Sequence, residues 1–226
     1  MMGGKEEPGV RSQERTVRWL RRGARPEPPR PPGPGLSWED REEVLQAAAT
    51  LYRTRGFAGA PLLDIARAAG VTETGVVAAF GGAEGLFEEV YSRELRDLAE
   101  RLTDRFESAD PLTMLRTALN GWLDEMADPG VRQVIVVDPQ VALGWDRWRR
   151  AGARHGRMLV EVAIIDAMEK GAVREQSVRP LGYVLAGAME SGVQFAARQP
   201  DPDAALADVR VALNTMVDGM VADARR

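Results

Sequence analysis

The chain has 226 residues, a formal net charge of −4 and an ordinary globular composition, with 44% hydrophobic and 28% charged residues. It has no cysteine and one histidine, which excludes disulfides, thiolate metal sites and multi-histidine metal centres. It shows neither the apolar core of a signal peptide nor a membrane-length apolar run. We therefore expect a cytoplasmic protein with no membrane partner, no metal and no cofactor.

The first 36 residues differ from the rest in charge and composition. They carry eight basic and four acidic residues, a net charge of +4, whereas the remainder carries −8. Residues 25–35, RPEPPRPPGPG, are typical of a disordered or polyproline linker, because proline blocks helix formation and lacks an amide donor. We predict a disordered arm over residues 1–36. Its basic side chains indicate either contact with a polyanion or a merely solvated tail.

Helical patterns begin directly after this arm. Ser37 and Asp40 fit a capping box, and apolar residues then repeat at helical spacing until Gly56, which predicts a helix over about residues 37–54. The apolar run 134–137 could form a strand by itself, but its helical surroundings favour a helix. The sequence thus predicts an all-α fold. Further predicted helices span about residues 61–69, 73–80, 83–106, 112–126, 146–170, 178–198 and 203–223.

Residues 62–87 contain the spacing of a helix-turn-helix. Ala66 is small where two helices would cross, Gly70 can take the positive φ of the turn, and Val76 can anchor the second helix. Ile65 and Phe80 would contribute to the shared core. An ordinary helical corner without any role in DNA binding has the same spacing, so this skeleton alone leaves both interpretations open.

The run from Ser37 to Tyr91 resembles the N-terminal module of TetR/AcrR-family transcriptional regulators, and residues 136–139 and 143–148 resemble segments of one ligand-domain subgroup of that family. The resemblance covers nearly everything after residue 36. The motifs that carry it in the N-terminal module are Gly56-Phe57, Asp64-Ile65-Ala66, Ala69-Gly70-Val71-Thr72, Phe80 at the end of the recognition helix, and Leu86 at the start of the connecting helix.

This resemblance implies an architecture and a function. The expected architecture is a helix-turn-helix module at residues 37–92, joined by a long helix to a ligand-binding and dimerisation bundle at residues 93–226. The expected function is a transcriptional repressor that binds double-stranded operator DNA as a homodimer. A small hydrophobic ligand in the bundle would release it from the operator.

The sequence departs from the family where DNA is contacted. Val77 and Ala79 replace the usual tyrosine and the aromatic or histidine, and Gly82 and Ala83 replace the usual serine cap and phosphate-binding lysine. Residues 37–92 carry a net charge of −5, although neutralising phosphates supplies most non-specific DNA affinity. The candidate DNA-binding residues are Thr72, Thr74, Gly75, Val77, Ala78 and Ala83, together with Arg18, Arg21 and Arg22 of the arm.

A second hypothesis follows from these departures. The chain could be a TetR-fold protein that has lost operator binding and acts as a small-molecule-binding, partner-binding or enzymatic module. No catalytic residue is predicted, because the single histidine, His155, lies among like charges.

The bundle contains the remaining candidate residues. Trp122, Met126, Asp138, Trp145, Met158, Val162, Tyr183 and Met189 are candidates for ligand binding, although plain core residues would look the same. In the last two helices, small residues and a 3-4 apolar repeat fit either a protomer core or a four-helix dimer interface. The candidate interface residues are Gly192, Phe195, Val209, Leu213, Met216 and Met220.

Overall fold

The computed structural model describes residues 35–103 and 110–221, and this part of the chain is all-helical. An isolated bridge between Val173 and Val221 is its only β-pairing, and no helix within it has the length and apolarity needed to cross a membrane. The helices are α1 (Trp38–Arg55), α2 (Leu62–Ala68), α3 (Glu73–Phe80), α4 (Ala83–Thr103), α5 (Pro111–Glu125), α6 (Pro129–Arg132), a π-helix (Gln133–Val137), α7 (Pro139–Glu169), α8 (Val178–Ala196) and α9 (Pro202–Asp218).

The start of α1 confirms the predicted capping box. The Ser37 hydroxyl accepts a hydrogen bond from the amide of Asp40 at 3.0 Å, and the Asp40 carboxylate accepts one from the amide of Ser37 at 3.1 Å. These two bonds satisfy amides that have no partner inside the helix. The helix ends at Gly56, whose φ of 70° is a conformation that glycine adopts without steric cost.

The structure differs from the predicted helices in three places. The run 134–137 lies in a π-helix, so it is helical as predicted but wider than an α-helix. Helix α7 is broken at Gly144, whose φ of 70° and ψ of 165° are not helical, so its longer part begins directly after Gly144, close to the predicted residue 146, and the short part from Pro139 is additional. The last helix ends at Asp218, earlier than the predicted residue 223.

The described residues belong to two compact units. The first contains residues 35–97 and 125–153, and the second contains residues 98–103, 110–124 and 154–221. This division follows packing density. The division into a DNA-binding module and a ligand-binding bundle, with boundaries at residues 36 and 92, stays a prediction.

An aromatic cluster forms the centre of the first unit. The Phe87 ring lies 5.2 Å from the rings of both Tyr52 and Phe57, edge to face, and stacks on Tyr91 at 6.3 Å. These rings come from α1, the turn after it and α4. The cluster therefore fixes the first and last helices of the helix-turn-helix segment against each other.

In the second unit, α9 contacts two helices by different chemistry. Against α8 it is apolar, and a Cβ atom at Gly192 would lie 2.6 Å from the Cγ1 of Val209, so the two helices approach closely. Against α5 it is polar, and the side-chain amides of Asn120 and Asn214 exchange hydrogen bonds of 3.0 and 3.3 Å. Ion pairs from Arg210 to Asp124 and from Arg116 to Asp218 flank this pair.

Candidate functional site

The turn between α2 and α3 has the geometry of a helix-turn-helix. Gly70 adopts φ 69°, and the amide of Val71 donates to the carbonyl of Ala66 at 3.0 Å, which closes the end of α2. Ile65 and Ala66 of α2 and Val76 and Phe80 of α3 are buried. The core that the spacing predicts is therefore present.

Helix α3 presents a narrow exposed face. It starts at Thr72, whose hydroxyl accepts from the amide of Gly75 at 3.1 Å, and it ends at the left-handed Gly81. Thr74 and Ala78 are exposed, and Val77 is 45% exposed. These three side chains, the exposed Glu73 carboxylate and the exposed Thr72 are what the helix presents to a DNA groove. Ala83, at the first position of α4, is half-buried.

Gly75 is unsuited to the predicted DNA contact. It is buried, and a Cβ atom there would lie 3.1 Å from the Cδ2 of Leu36. Its amide already donates to Thr72, so it cannot also bind a phosphate. Leu36 nevertheless shows where the arm enters, because it brings the start of the described chain beside the first turn of α3. Arg18, Arg21 and Arg22 lie outside the described residues.

Most basic side chains of residues 37–92 form ion pairs with carboxylates. Arg53 pairs with Asp128 at 2.9 Å and Arg55 pairs with Asp64 at 3.4 Å. Arg41 is buried and pairs with Glu89. Only the exposed Arg67 makes no ion pair within the described residues. The module thus has one unengaged guanidinium for phosphates, fewer than its four basic residues suggest.

Arg41 is a residue that sequence reasoning missed. It bonds the carbonyl of Ala79 at 3.2 Å, and its guanidinium carbon lies 4.1 Å from the centroid of the Phe80 ring. The available signal was its position, because Arg41 shares a helix face with the buried Val44 and Ala48. A charge on an apolar stripe indicates a buried partner.

The Asp138 side chain joins the turn after α1 to the π-helix. One carboxylate oxygen accepts from the amide of Phe57 at 2.8 Å, and the other accepts from the side-chain amide of Gln133 at 2.8 Å. Burial raises the pKa of Asp138, and these two hydrogen bonds act in the opposite direction. Asp138 precedes α7, but the described partners of its carboxylate are Phe57 and Gln133 rather than an amide of α7, so ligand contact and helix capping both stay predictions.

The other candidate ligand residues divide between the two units. Trp122, Val162 and Met189 are buried in the second unit, where Tyr183 is exposed. In the first unit, Met126 is fully buried, whereas Trp145 is exposed and packs on Trp148 at 5.0 Å. The side chain of Met158 lies outside the described residues. Ligand contact by these residues stays a prediction.

The candidate dimer residues fall into two groups. Leu213 is 2% exposed in the single chain, and Gly192 and Val209 contact each other where α8 packs on α9, so all three are occupied within one chain. Phe195 and Met216 are exposed, and Met220 is half-buried. Two exposed residues that the apolar repeat did not select, Val184 and Val211, add to an apolar surface on the same helices.

Comparison with known proteins agrees with this geometry. The family model of bacterial regulatory proteins of the tetR family matches residues 44–90, and that of the tetracyclin repressor-like C-terminal domain matches residues 112–220. No curated protein matches the chain.

Solved structures share the fold at low sequence identity. A TetR-family transcriptional regulator from Pectobacterium atrosepticum is 22% identical with a TM-score of 0.70, covering 82% of this chain and 95% of its own. A TetR regulator from Haloarcula marismortui is 20% identical with a TM-score of 0.67, covering 80% and 98%. A fatty acid degradation regulator from Bacillus halodurans is 17% identical with a TM-score of 0.63, covering 79% and 96%. Together with the two family models, the helix-turn-helix geometry shows that this chain belongs to the TetR family of bacterial regulatory proteins.

Proposed function

We propose that this chain is a transcriptional repressor that binds operator DNA as a homodimer and is released by a small apolar ligand. The observation that carries the proposal is the recognition helix α3, which is capped at Thr72 and exposes Thr74, Val77 and Ala78. Apolar side chains such as these can contact thymine methyl groups, and the hydroxyl can bond a base or a phosphate.

The basic arm would supply the phosphate contacts that the helix-turn-helix lacks. Leu36 packs against Gly75 at the start of α3, so residues 1–35 enter the described structure beside the recognition helix. Arg18, Arg21 and Arg22 would then lie within reach of the DNA backbone, since 13 residues lie between Arg22 and Leu36 in sequence and an extended chain spans about 3.3 Å per residue. Each phosphate that the arm neutralises would contribute to affinity and to its dependence on salt.

The ligand would be a largely apolar molecule bound in the C-terminal bundle. The candidate residues Trp122, Val162 and Met189 are apolar and buried, and the structurally similar Bacillus halodurans protein is a fatty acid degradation regulator. Fatty acids and other hydrophobic metabolites are the first compounds to screen by thermal shift. Binding of a charged metabolite alone, with no stabilisation by any apolar class, would contradict this part of the proposal.

A fluorescence anisotropy titration against the DNA upstream of the gene tests the DNA-binding part. A truncation that begins at Leu36 should bind more weakly, and its slope of log K against log salt should flatten by about 0.9 for each phosphate that is no longer neutralised. Ala83→Lys should strengthen binding almost equally on all DNA sequences, because it adds a phosphate contact. Gln176→Lys adds the same charge in the exposed loop before α8 and serves as the control.

Two outcomes would contradict the proposal. A truncation that binds with unchanged affinity and slope would show that the arm has no role in DNA contact. Failure of the wild type, the truncation and Ala83→Lys to bind any DNA would favour the second function. That function, a TetR-fold protein without operator binding, is supported by the pairing of Arg41, Arg53 and Arg55 with carboxylates.

A further inference from the structure

Arg41 is a charged residue in the interior of the first unit. It lies on α1 and is 2% exposed, among neighbours on the same face that are apolar. A buried charge is costly unless it is paired and its donors are bonded. The position of this guanidinium therefore depends closely on the groups that it contacts.

Those groups lie on two other helices. One guanidinium nitrogen donates to the carbonyl of Ala79 in the last turn of α3 at 3.2 Å, and another donates to Glu89 of α4. The guanidinium also covers the face of the Phe80 ring. The carbonyl of Ala79 belongs to the last turn of its helix, where carbonyls have no intrahelical partner and the helix dipole is negative. A cation at this point stabilises the end of α3.

Helix α3 has only eight residues, too few to be stable without tertiary contacts. Its first turn is fixed by the Thr72 cap, and its last turn by Gly81 and Arg41. We infer that Arg41 is a positioning residue, which sets the orientation of the recognition helix from its C-terminal end and so determines discrimination between operator and other DNA. This inference rests on the proposed DNA-binding function.

The inference predicts a specific pattern of DNA-binding defects. Base contacts from Thr74, Val77 and Ala78 require the correct placement of α3, whereas phosphate contacts by residues outside α3 do not. Removing the interactions of Arg41 should therefore lower operator affinity more than affinity for a scrambled sequence. The slope of log K against log salt should stay unchanged, since the number of neutralised phosphates stays the same.

Arg41→Lys is the informative variant. Lysine keeps the charge, but a point charge cannot bond Ala79 and Glu89 in fixed directions and cover Phe80 as a planar guanidinium does. Arg93→Met is the matched control, because Arg93 also joins α4 to α1, through two bonds of 2.8 and 2.9 Å to Glu42. None of the contacts described for Arg93 involves α3.

Two measurements on the full chain test the inference. The first is hydrogen exchange of the backbone amides of residues 76–81 in the absence of DNA. The second is the ratio of the dissociation constant for scrambled DNA to that for operator DNA. Both are measured well below the melting temperature of each variant. Arg41→Lys should lower the ratio by about tenfold, roughly the discrimination that one base contact provides, and it should speed the exchange because the end of α3 opens more readily. Arg93→Met should change neither. If Arg41→Lys does not fold, Glu89→Gln should change both in the same direction but less.

The outcomes separate this inference from the proposed function. Equal effects of Arg41→Lys and Arg93→Met on both readouts would overturn the inference, because Arg41 would then act only through general stability. If the wild type binds no DNA, the proposed function fails, and the exchange measurement alone then tests whether Arg41 positions α3. Faster exchange confined to residues 76–81 in Arg41→Lys would support positioning of α3, and unchanged exchange there would overturn it.

Discussion

Tyr52 places a polar atom in the apolar centre of the first unit. Its side chain is fully buried between Phe57 and Phe87, and within the described residues its hydroxyl has no hydrogen-bond partner. Burial, with smaller contributions from Glu84 and Asp138, raises the pKa of Tyr52 above its ordinary value, so the group is neutral at physiological pH. The ring contributes packing, while the hydroxyl loses its hydration on folding.

Tyr52→Phe should therefore leave the free energy of unfolding unchanged or raise it by about 1 kcal/mol, because it removes an unsatisfied buried polar atom and keeps the ring. Chemical denaturation at pH 7, followed by circular dichroism, measures the difference. A decrease of more than about 1 kcal/mol would mean that the hydroxyl has a partner in solution.

Single residues also show where sequence reasoning reaches its limit. The helical spacing of Val44 and Ala48 predicts a buried face on α1, and the structure confirms it. The same spacing does not predict how the charge of Arg41 is satisfied, because Glu89 lies 48 positions away in sequence. Interactions between distant residues depend on the packing of helices, which a local pattern does not contain.

The π-helix is an element whose role follows from what surrounds it. It is short and lies between Arg132 and Asp138, and the amide of Asp138 donates to the carbonyl of Gln133 at 3.0 Å across its wider turn. The same two residues are also joined through their side chains, beside the amide of Phe57. This geometry attaches the turn after α1 to the start of α7.

Two substitutions at Asp138 separate the effect of its hydrogen bond to Phe57 from the effect of its titration. Asp138→Ala leaves the Phe57 amide without an acceptor and should cost about 1–3 kcal/mol of unfolding free energy at pH 7. Asp138→Asn retains an acceptor oxygen and should cost less. Burial raises the folded-state pKa of Asp138 above its unfolded value of about 3.9. The wild type therefore loses stability as pH rises through the interval between the unfolded-state and the folded-state pKa. The Asn variant does not titrate, so it should gain stability relative to the wild type over the same interval.

Denaturation curves for the three proteins between pH 4 and 7.5 test both statements. Equal losses of stability for Asp138→Ala and Asp138→Asn at pH 7 would mean that the hydrogen bond to Phe57 contributes nothing. A constant difference between Asp138→Asn and wild type across the range would contradict the raised pKa.

Sequence patterns predict most elements of this fold but not all of their boundaries. Local signals, such as the Ser37 capping box and the turn at Gly70, appear in the structure where the sequence predicts them. The helical surroundings of the apolar run Val134–Val137 predict a helix but do not distinguish helix types, so the π-helix is not predicted. Gly144 breaks α7 just before the predicted helix start near residue 146, whereas the short part from Pro139 to Gly144 is not predicted, because so few residues show no helical period.

At the scale of the whole molecule, the surface of α8 and α9 supports the proposed homodimer. The exposed apolar residues there include Val184, Phe195, Val211 and Met216, and Val211 is 67% exposed. In the proposed homodimer, a second copy would cover exposed apolar side chains of this kind. Leu213, a residue of the predicted apolar repeat, is already buried within one chain, so a simple repeat cannot tell core from interface.

A pair of substitutions on α9 distinguishes the two kinds of position. Val211→Asp should convert dimers to folded monomers, because it places a charge only in the interface, and it should lower the melting temperature by no more than the loss of the dimer's stabilisation. Leu213→Asp should unfold the chain, since it buries an unpaired charge in the protomer core. Sedimentation velocity and thermal melts at micromolar concentration measure the two effects. A wild-type protein that sediments as a monomer would remove the homodimer from the proposal.

The close approach of α8 and α9 also bears on how this sequence can diverge. A methyl group added at Gly192 would overlap the Cγ1 of Val209, so a larger side chain does not fit at either position unless the other residue becomes smaller. An alanine at position 192 becomes acceptable once position 209 holds a smaller residue such as alanine. Among relatives that keep this helix pair, the residues at these two positions should covary, with their combined volume held nearly constant.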